Sequence, residues 1–327
     1  IGAAVRAAQS LSLHNESSWG QIDHIERQVR RQVWWTVFIG DGFSALSYGR
    51  PSMLVDQDCN VHQPLDLDDT SATCPGFNSV EKREDGEYHP VTIHSYHRYK
   101  TQLYRIAATI TRQIHIRCST RSLEVITDHI KKIYQKLLEW EKSIPPELKL
   151  PSYSGLTVDD QSSPILKIFT IQAMTLQVSY DNVQLFLFRP FLALQRPYHS
   201  LPDTYERLNG GTGNCTASII AAAREQCWIS ASRTSMIGQH LQILQLMRSS
   251  PACVHMGVHS FAAGVMLGLM ALAKPASQRG HECKLGISRL VRIARTATLQ
   301  APVWSQSAEV FTDLIHLIAA EETKALL

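Results

Sequence analysis

The residues best placed to do chemistry in this chain are His255 and His259, four positions apart in a segment that reads as helix. That spacing sets two imidazoles on one helix face, as in a helical zinc site. Met256 stands where the glutamate of H-E-x-x-H would supply a general base, and no third ligand accompanies the pair. Core or helix-end histidines are the stronger reading. His94 with His97, and Cys59 with His62, offer poorer versions of the same idea.

The seven cysteines, at 59, 74, 118, 215, 227, 253 and 283, include no C-x-x-C pair and no zinc-cluster spacing. An odd, scattered set fits buried thiols in a reducing compartment better than a disulfide framework. Asp66-Leu67-Asp68-Asp69 is superficially similar to the magnesium-binding motif of helical prenyl-transfer enzymes. It sits beside Pro64 in a loop, without a second acidic cluster at helical spacing, and reads as a solvated acidic loop. No G-x-S-x-G, P-loop or dinucleotide fingerprint is present. With no coupled nucleophile and base, the expectation is no enzyme, and no metal or cofactor bound by this chain.

These residues hang on a helical framework. Apolar residues recur at helical spacing in nearly every long segment, and no alternating strand pattern competes. Ile126, Ile130, Ile133, Leu137 and Trp140 form one stripe, ended by Ile144-Pro145-Pro146. That stripe serves a core helix or, over two heptads, a dimer seam. Tyr99, Leu103, Ile106, Ile110 and Ile114 form a second, and Ile220, Ala223, Cys227, Ala231, Ile237, Leu241 and Leu244 a third. Shorter helices are expected at 2–13 and 303–325. Residues 50–92, 145–163 and 195–214 break the pattern with Pro, Gly, Asp and Ser. The apolar run Phe261–Ala273 is short of the roughly 20 residues that cross a bilayer, so it reads as a buried helix and no membrane partner is expected. The expected fold is all-α, a single large multi-helix domain over 1–327 with long irregular loops.

Charges nearly cancel, 32 Lys+Arg against 29 Asp+Glu, which gives no electrostatic case for nucleic acid binding by the chain itself. The acidic side is concentrated between 56 and 87, where nine Asp and Glu face only Lys82 and Arg83. A basic stripe, Lys284, Arg289, Arg292 and Arg295, reads as a solvated helix face, with an acidic partner or the 56–87 loop as the alternative.

The most informative segment begins at Ser17. Ser17 or Ser18, with Gln21 in capping-box position, predicts a helix running to about Ser47. Ile22, Ile25, Val29, Val33 and Val37 line one side, and Trp34, Trp35, Phe38 and Ile39 fill much of the rest, so its second half should be central. Gly40 and Gly42 let a neighbouring helix approach. Asp41 is the lone carboxylate there, and a buried charge needs a partner. Arg50, between Gly49 and Pro51, is the expected one. An exposed Arg50 facing a partner or effector, with Asp41 bonding elsewhere, to Arg189 for example, is the alternative.

Glu26, Arg30, Arg31, Trp34-Trp35, Asp41, Gly49-Arg50-Pro51, Asp56, Asp58, Val61 and Pro64 together resemble the signature of the fungal transcription factor regulatory domain. Weaker similarities are Ala3–His14, Trp140 with Ile144-Pro145 and Leu148, Leu187-Phe188-Arg189-Pro190-Phe191-Leu192, and Phe261–Leu272, so the resemblance covers about 1–275. Gly42, where a basic residue often stands, and His62-Gln63, in place of apolar residues, depart from the pattern. The resemblance implies a nuclear protein, an effector- or partner-responsive part of a DNA-binding regulator of RNA polymerase II transcription. It implies that DNA is read by an N-terminal binuclear zinc cluster, which is not in this sequence; zinc is expected only there. The chain, opening at Ile1 without Met, reads as beginning inside a domain. A small-molecule effector, a co-regulator or a second copy is an expected partner. The alternative is a helical interaction module of the same fold whose parent has no DNA-binding domain.

Overall fold

The computed structural model describes residues 1–66, 72–112, 123–153, 161–193, 213–248, 250–295 and 301–326. Its backbone contacts divide the chain into two units, Ile1–Gln177 and Val178–Leu327. Both are built of helices, and the strands among the described residues form a single hairpin, so the all-α expectation holds.

In the first unit α1 (Gly2–Ser10) and α2 (His24–Tyr48) are followed by a long irregular segment. The hairpin β1 (Val80–Lys82) and β2 (Tyr88–Pro90) pairs Val80 with Pro90, Glu81 with His89 and Lys82 with Tyr88. Then come α3 (Ser95–Ile110), α4 (Leu123–Ser143) and α5 (Pro164–Ala193), within which the division between the units falls. The α4 stripe is spent inside the chain: Ile126, Ile130, Ile133, Leu137 and Trp140 are all buried, so it is core and no dimer seam. Trp140 Nε1 donates to Tyr99 O at 3.0 Å and Tyr99 Oη to Ser143 O at 3.1 Å, which ties α3 to α4.

Helix α2 starts later than the capping box predicts. Residues 16–18 form an isolated 3-10 turn, and the cap is Asp23, whose carboxylate accepts the Ile25 N–H at 3.1 Å. Its buried face also differs. Gln28, Arg31, Trp34, Trp35, Phe38, Asp41, Gly42 and Ala45 point inward, while Ile25, Val29 and Val33 are 59%, 47% and 44% exposed. An indole or phenyl ring removes far more surface from water than a valine, so the aromatic face wins the interior. Gly42 allows a close approach there: a Cβ would lie 3.0 Å from the Tyr104 ring on α3, which would have to give way.

The second unit holds α6 (Gly213–Ser235), α7 (Leu241–Met247), α8 (Ala252–Ala273), α9 (Gln278–Ala294) and α10 (Pro302–Leu326). The third stripe is not one helix. It is interrupted by a 3-10 turn over Met236–His240, where Gly238 lets Ile293 of α9 approach, and Leu241 is left 46% exposed. Asp181 of α5 is fully buried and ion-paired with Arg233 of α6, and Gln184 accepts from Gln226 Nε2 and Ser230 Oγ, each at 2.7 Å. Helix α8 has the length and composition to cross a membrane, yet half of its 22 residues are buried, and α6, α9 and α10 pack on it. A Cβ on Gly264 would lie 2.3 Å from Phe311 Cε1, in a ring that is itself buried. Gly264→Ala gains about 1 kcal/mol of helix propensity but forces that ring aside at up to about 3 kcal/mol. A net loss of about 1–2 kcal/mol in denaturant unfolding is expected.

Candidate functional site

The signature residues converge on one construction, in which α2 holds the irregular segment that follows it. The helix ends in a Schellman motif: Gly49, at φ 63°, is the left-handed residue, its N–H reaching Leu46 O and the Arg50 N–H reaching Ala45 O at 3.0 Å. Arg50 and Pro51 are both exposed.

The Asp41–Arg50 pair is not formed. The Asp41 carboxylate, 2% exposed, accepts from Ser52 Oγ at 2.6 Å and from the Leu54 N–H at 2.9 Å, both through Oδ2. These two donors reach it from the turn itself. Ordering a short hydroxyl and a backbone amide costs less entropy than pinning an arginine side chain, whose guanidinium keeps its hydration outside. The carboxylate still does what the ion pair was expected to do, because it fixes how the chain leaves the helix.

Further contacts continue the clamp toward the helix N-terminus. Trp35 Nε1 donates to His62 O at 2.9 Å. Gln28, 1% exposed, accepts the Leu65 N–H at 2.8 Å. Arg31 is ion-paired with Glu16, whose Oε2 also accepts the His62 N–H at 3.1 Å. Burial alone would raise the Glu16 carboxyl, but bonds from Arg31, the His62 amide and Arg27 carry it below its usual value. Gln28, Arg31 and Trp35 lie three and four positions apart, so one helix face holds residues 62–65, directly through Gln28 and Trp35 and through Glu16 from Arg31.

From the other side α3 and the hairpin close on the same segment. Arg98, 5% exposed, donates Nε to Glu81 Oε1 at 3.0 Å, and Nη1 to Asp66 Oδ1 at 3.0 Å and to Pro64 O at 3.2 Å. Ser95 Oγ donates to Glu81 Oε1 at 2.8 Å, and Arg83 pairs with Asp66. Two guanidinium and two carboxylate groups thus balance in a largely buried cluster. Burial raises the Asp66 carboxyl, yet the charges of Arg98 and Arg83 outweigh it and hold the group below the usual range. Asp66 is therefore a structural anion, not the solvated loop residue expected; Asp68 and Asp69 lie outside the described residues.

Residues 1–177, which contain this whole construction, match the family model of the fungal specific transcription factor domain. The chain belongs to that family. It is 26% identical over 193 residues to the transcriptional activator protein acu-15 of Neurospora crassa, covering 59% of this chain and 19% of that protein. It is 24% identical over 208 residues to activator of stress genes protein 1 of Candida albicans, covering 59% and 20%. Over a shorter stretch of 49 residues it is 37% identical to transcription factor macR of Penicillium terrestre, 15% of this chain and 6% of that protein. The chain thus spans about a fifth of the length of the first and second of these relatives. No solved structure matches it.

Of the other signature residues of the fungal transcription factor domain, Trp34, Val61 and Pro64 are buried and the rest are peripheral. Arg30 bonds Glu26 one turn back and stacks over Trp19 at 5.7 Å. Asp56 pairs at 2.9 Å with Arg105, which lies 4.5 Å over the Trp35 ring, and Asp58 is exposed. Arg189 is exposed on α5 and Pro190 lies inside that helix, half-buried; both fall beyond the matched residues.

The chemical candidates do not assemble. Among the described residues no group of three or more His, Cys, Asp or Glu is placed to hold a metal ion. His259 is buried and His255 half-buried on α8. Cys59 Sγ donates to Val55 O at 3.2 Å, and burial with Asp56 and Asp58 nearby pushes that thiol up to about 11. Burial pushes Cys227 up to about 12 and Cys283 to about 11, so both are inert core thiols; Cys118 lies outside the described residues. Of the basic stripe, Lys284 is paired with Glu322 at 2.7 Å and Arg295, just past the end of α9, donates to Thr312 Oγ1 at 3.0 Å, so both are spent on α10. Glu16, Gln28, Ser52, Glu81 and Arg98 are the members of the clamp that sequence reasoning missed. Gln28 and Arg31 share the Trp35 face, which is the one signal that was available.

Proposed function

We propose that this chain is the regulatory, effector- or partner-responsive part of a nuclear transcription factor acting on RNA polymerase II genes, and that it is not an enzyme. Membership of the fungal transcription factor family over 1–177 carries the reading. Relatives from three fungi, named as a transcriptional activator, an activator of stress genes and a transcription factor, support it. In this proposal DNA is contacted by another region of the parent through a zinc cluster, and this chain contributes regulation alone. Its near-neutral charge agrees with that division.

The test tethers the 327-residue chain to a heterologous DNA-binding domain in a fungal reporter strain. A several-fold change in reporter output relative to the DNA-binding domain alone is expected, and Asp41→Ala should abolish it by releasing the 52–65 segment. Output equal to that of the bare DNA-binding domain, with the fusion present at equal level, would overturn the regulatory reading.

A further inference from the structure

Three arginine or lysine side chains are buried among the described residues: Arg31, Arg98 and Lys100, at 8%, 5% and 8% exposure. The first two are ion-paired, Arg31 with Glu16 and Arg98 with Glu81 and Asp66. Lys100 meets no carboxylate among the described residues. Its Nζ donates to Tyr96 Oη at 2.7 Å and lies 5.1 Å from the centroid of that ring. Arg98 stands about 200° round α3 from Lys100, so the acids that serve it lie on another side of the helix.

A buried cation left with a neutral acceptor is costly, and a water molecule does not offset its charge. The Tyr96 ring and hydroxyl offset only part of that cost. The hydrogen-bond count shows what would complete the site. An ammonium has three donors and a tyrosine hydroxyl one. Lys100 spends a single N–H on Tyr96, and the hydroxyl that accepts it keeps its own proton to give. Two N–H groups and one O–H therefore lie side by side with no acceptor among the described residues. From there the way leads outward: Lys100 is buried, Tyr96 half-buried and His97 exposed, its ring edge-on to Tyr96 with the centroids 5.2 Å apart. The ionisable groups whose charge acts on His97 are Lys100, His94 and Arg98, with no carboxylate among them.

We infer that Lys100 and Tyr96 form the anion end of a ligand site that opens beside His97 and takes a small organic monocarboxylate. Charge sets the class. One unpaired cation matches one negative charge, whereas a phosphate dianion would bring a second with nothing to meet it. A carboxylate has an oxygen for the ammonium and another for the hydroxyl. The two aromatic rings at the mouth suit a flat apolar body behind it. A role in regulation rests on the effector-responsive reading, while binding is measured on the chain alone, so the two can fail separately.

Thermal melting of the 327-residue chain with phenylacetate, phenylacetamide or inorganic phosphate at about 1–10 mM tests the site, the range in which a ligand of that size binds. Phenylacetate is expected to raise the midpoint, because it binds the folded state alone. Its neutral amide and phosphate should leave the midpoint in place. Lys100→Met should raise the midpoint by several degrees without ligand, since an unpaired charge gives way to an apolar chain of similar length. It should also erase the response to phenylacetate. Tyr96→Phe should weaken phenylacetate binding about tenfold, the loss of one charge-assisted hydrogen bond. A lowered midpoint for Lys100→Met would mean that the lysine already holds a counter-charge in the folded chain, and overturns the inference. So does an equal response to phenylacetate and phenylacetamide, or no response to phenylacetate.

Discussion

Glu81→Ala is expected to lower the free energy of unfolding by about 3–5 kcal/mol, the usual cost of stranding a buried charge. Glu81 is 5% exposed and accepts from Arg98 and from Ser95, so its loss leaves two guanidinium groups facing the single carboxylate of Asp66. Replacing Glu81 and Arg98 together, by Leu and Met, should cost clearly less than the sum of the single changes. Simple additivity in urea titrations would show that the groups do not act as a pair. This cluster and the Arg31–Glu16 pair together give an acid limit. A carboxyl whose folded-state value is depressed contributes stability that is complete above its unfolded value and is lost as pH falls through the folded one. Asp66 and Glu16 are both depressed, so their contribution should fade below about pH 4, where unfolded carboxylates begin to take up protons. Asp66→Asn should flatten the fall in urea midpoint below that pH; a slope equal to that of the unchanged protein would count against the cluster.

The second large effect separates two neighbours in the signature. Asp41→Ala should cost about 3 kcal/mol, since it removes two hydrogen bonds to a buried carboxylate and strands the Leu54 amide. Arg50→Ala should leave the melting temperature within error, because the guanidinium is exposed and unconnected to Asp41. Ser52→Ala should fall between them, at about 1–2 kcal/mol, with Asp41 still held by Leu54. A destabilisation by Arg50→Ala comparable to that of Asp41→Ala would reinstate the ion pair and contradict the hydroxyl-and-amide anchor.

The helical class was legible in the order of residues, because a 3.6-residue repeat buries one side of a helix whatever its neighbours are. So was the place where α2 stops: glycine at position 49 tolerates the left-handed conformation, and Pro51 cannot continue a helix. The burial of Trp34 and Trp35 was legible for a similar reason, since so much apolar surface has nowhere else to go.

What turned on the assembled molecule was direction and partnership. Both sides of α2 are apolar, so periodicity alone does not say whether Val29 or Trp35 faces inward; the presence of α3 at Gly42 and of the 52–65 segment decides it. Nearest-in-sequence reasoning gave Asp41 an arginine, whereas the tertiary structure supplies Ser52 and Leu54. The acidic segment read as solvated because its counter-charge, Arg98, stands 32 residues from Asp66 in the chain and 3.0 Å from it in space. Local propensity acts over a few residues and is written in the sequence. A buried charge is satisfied by whichever donors folding brings within hydrogen-bond reach, and chain distance does not set that choice.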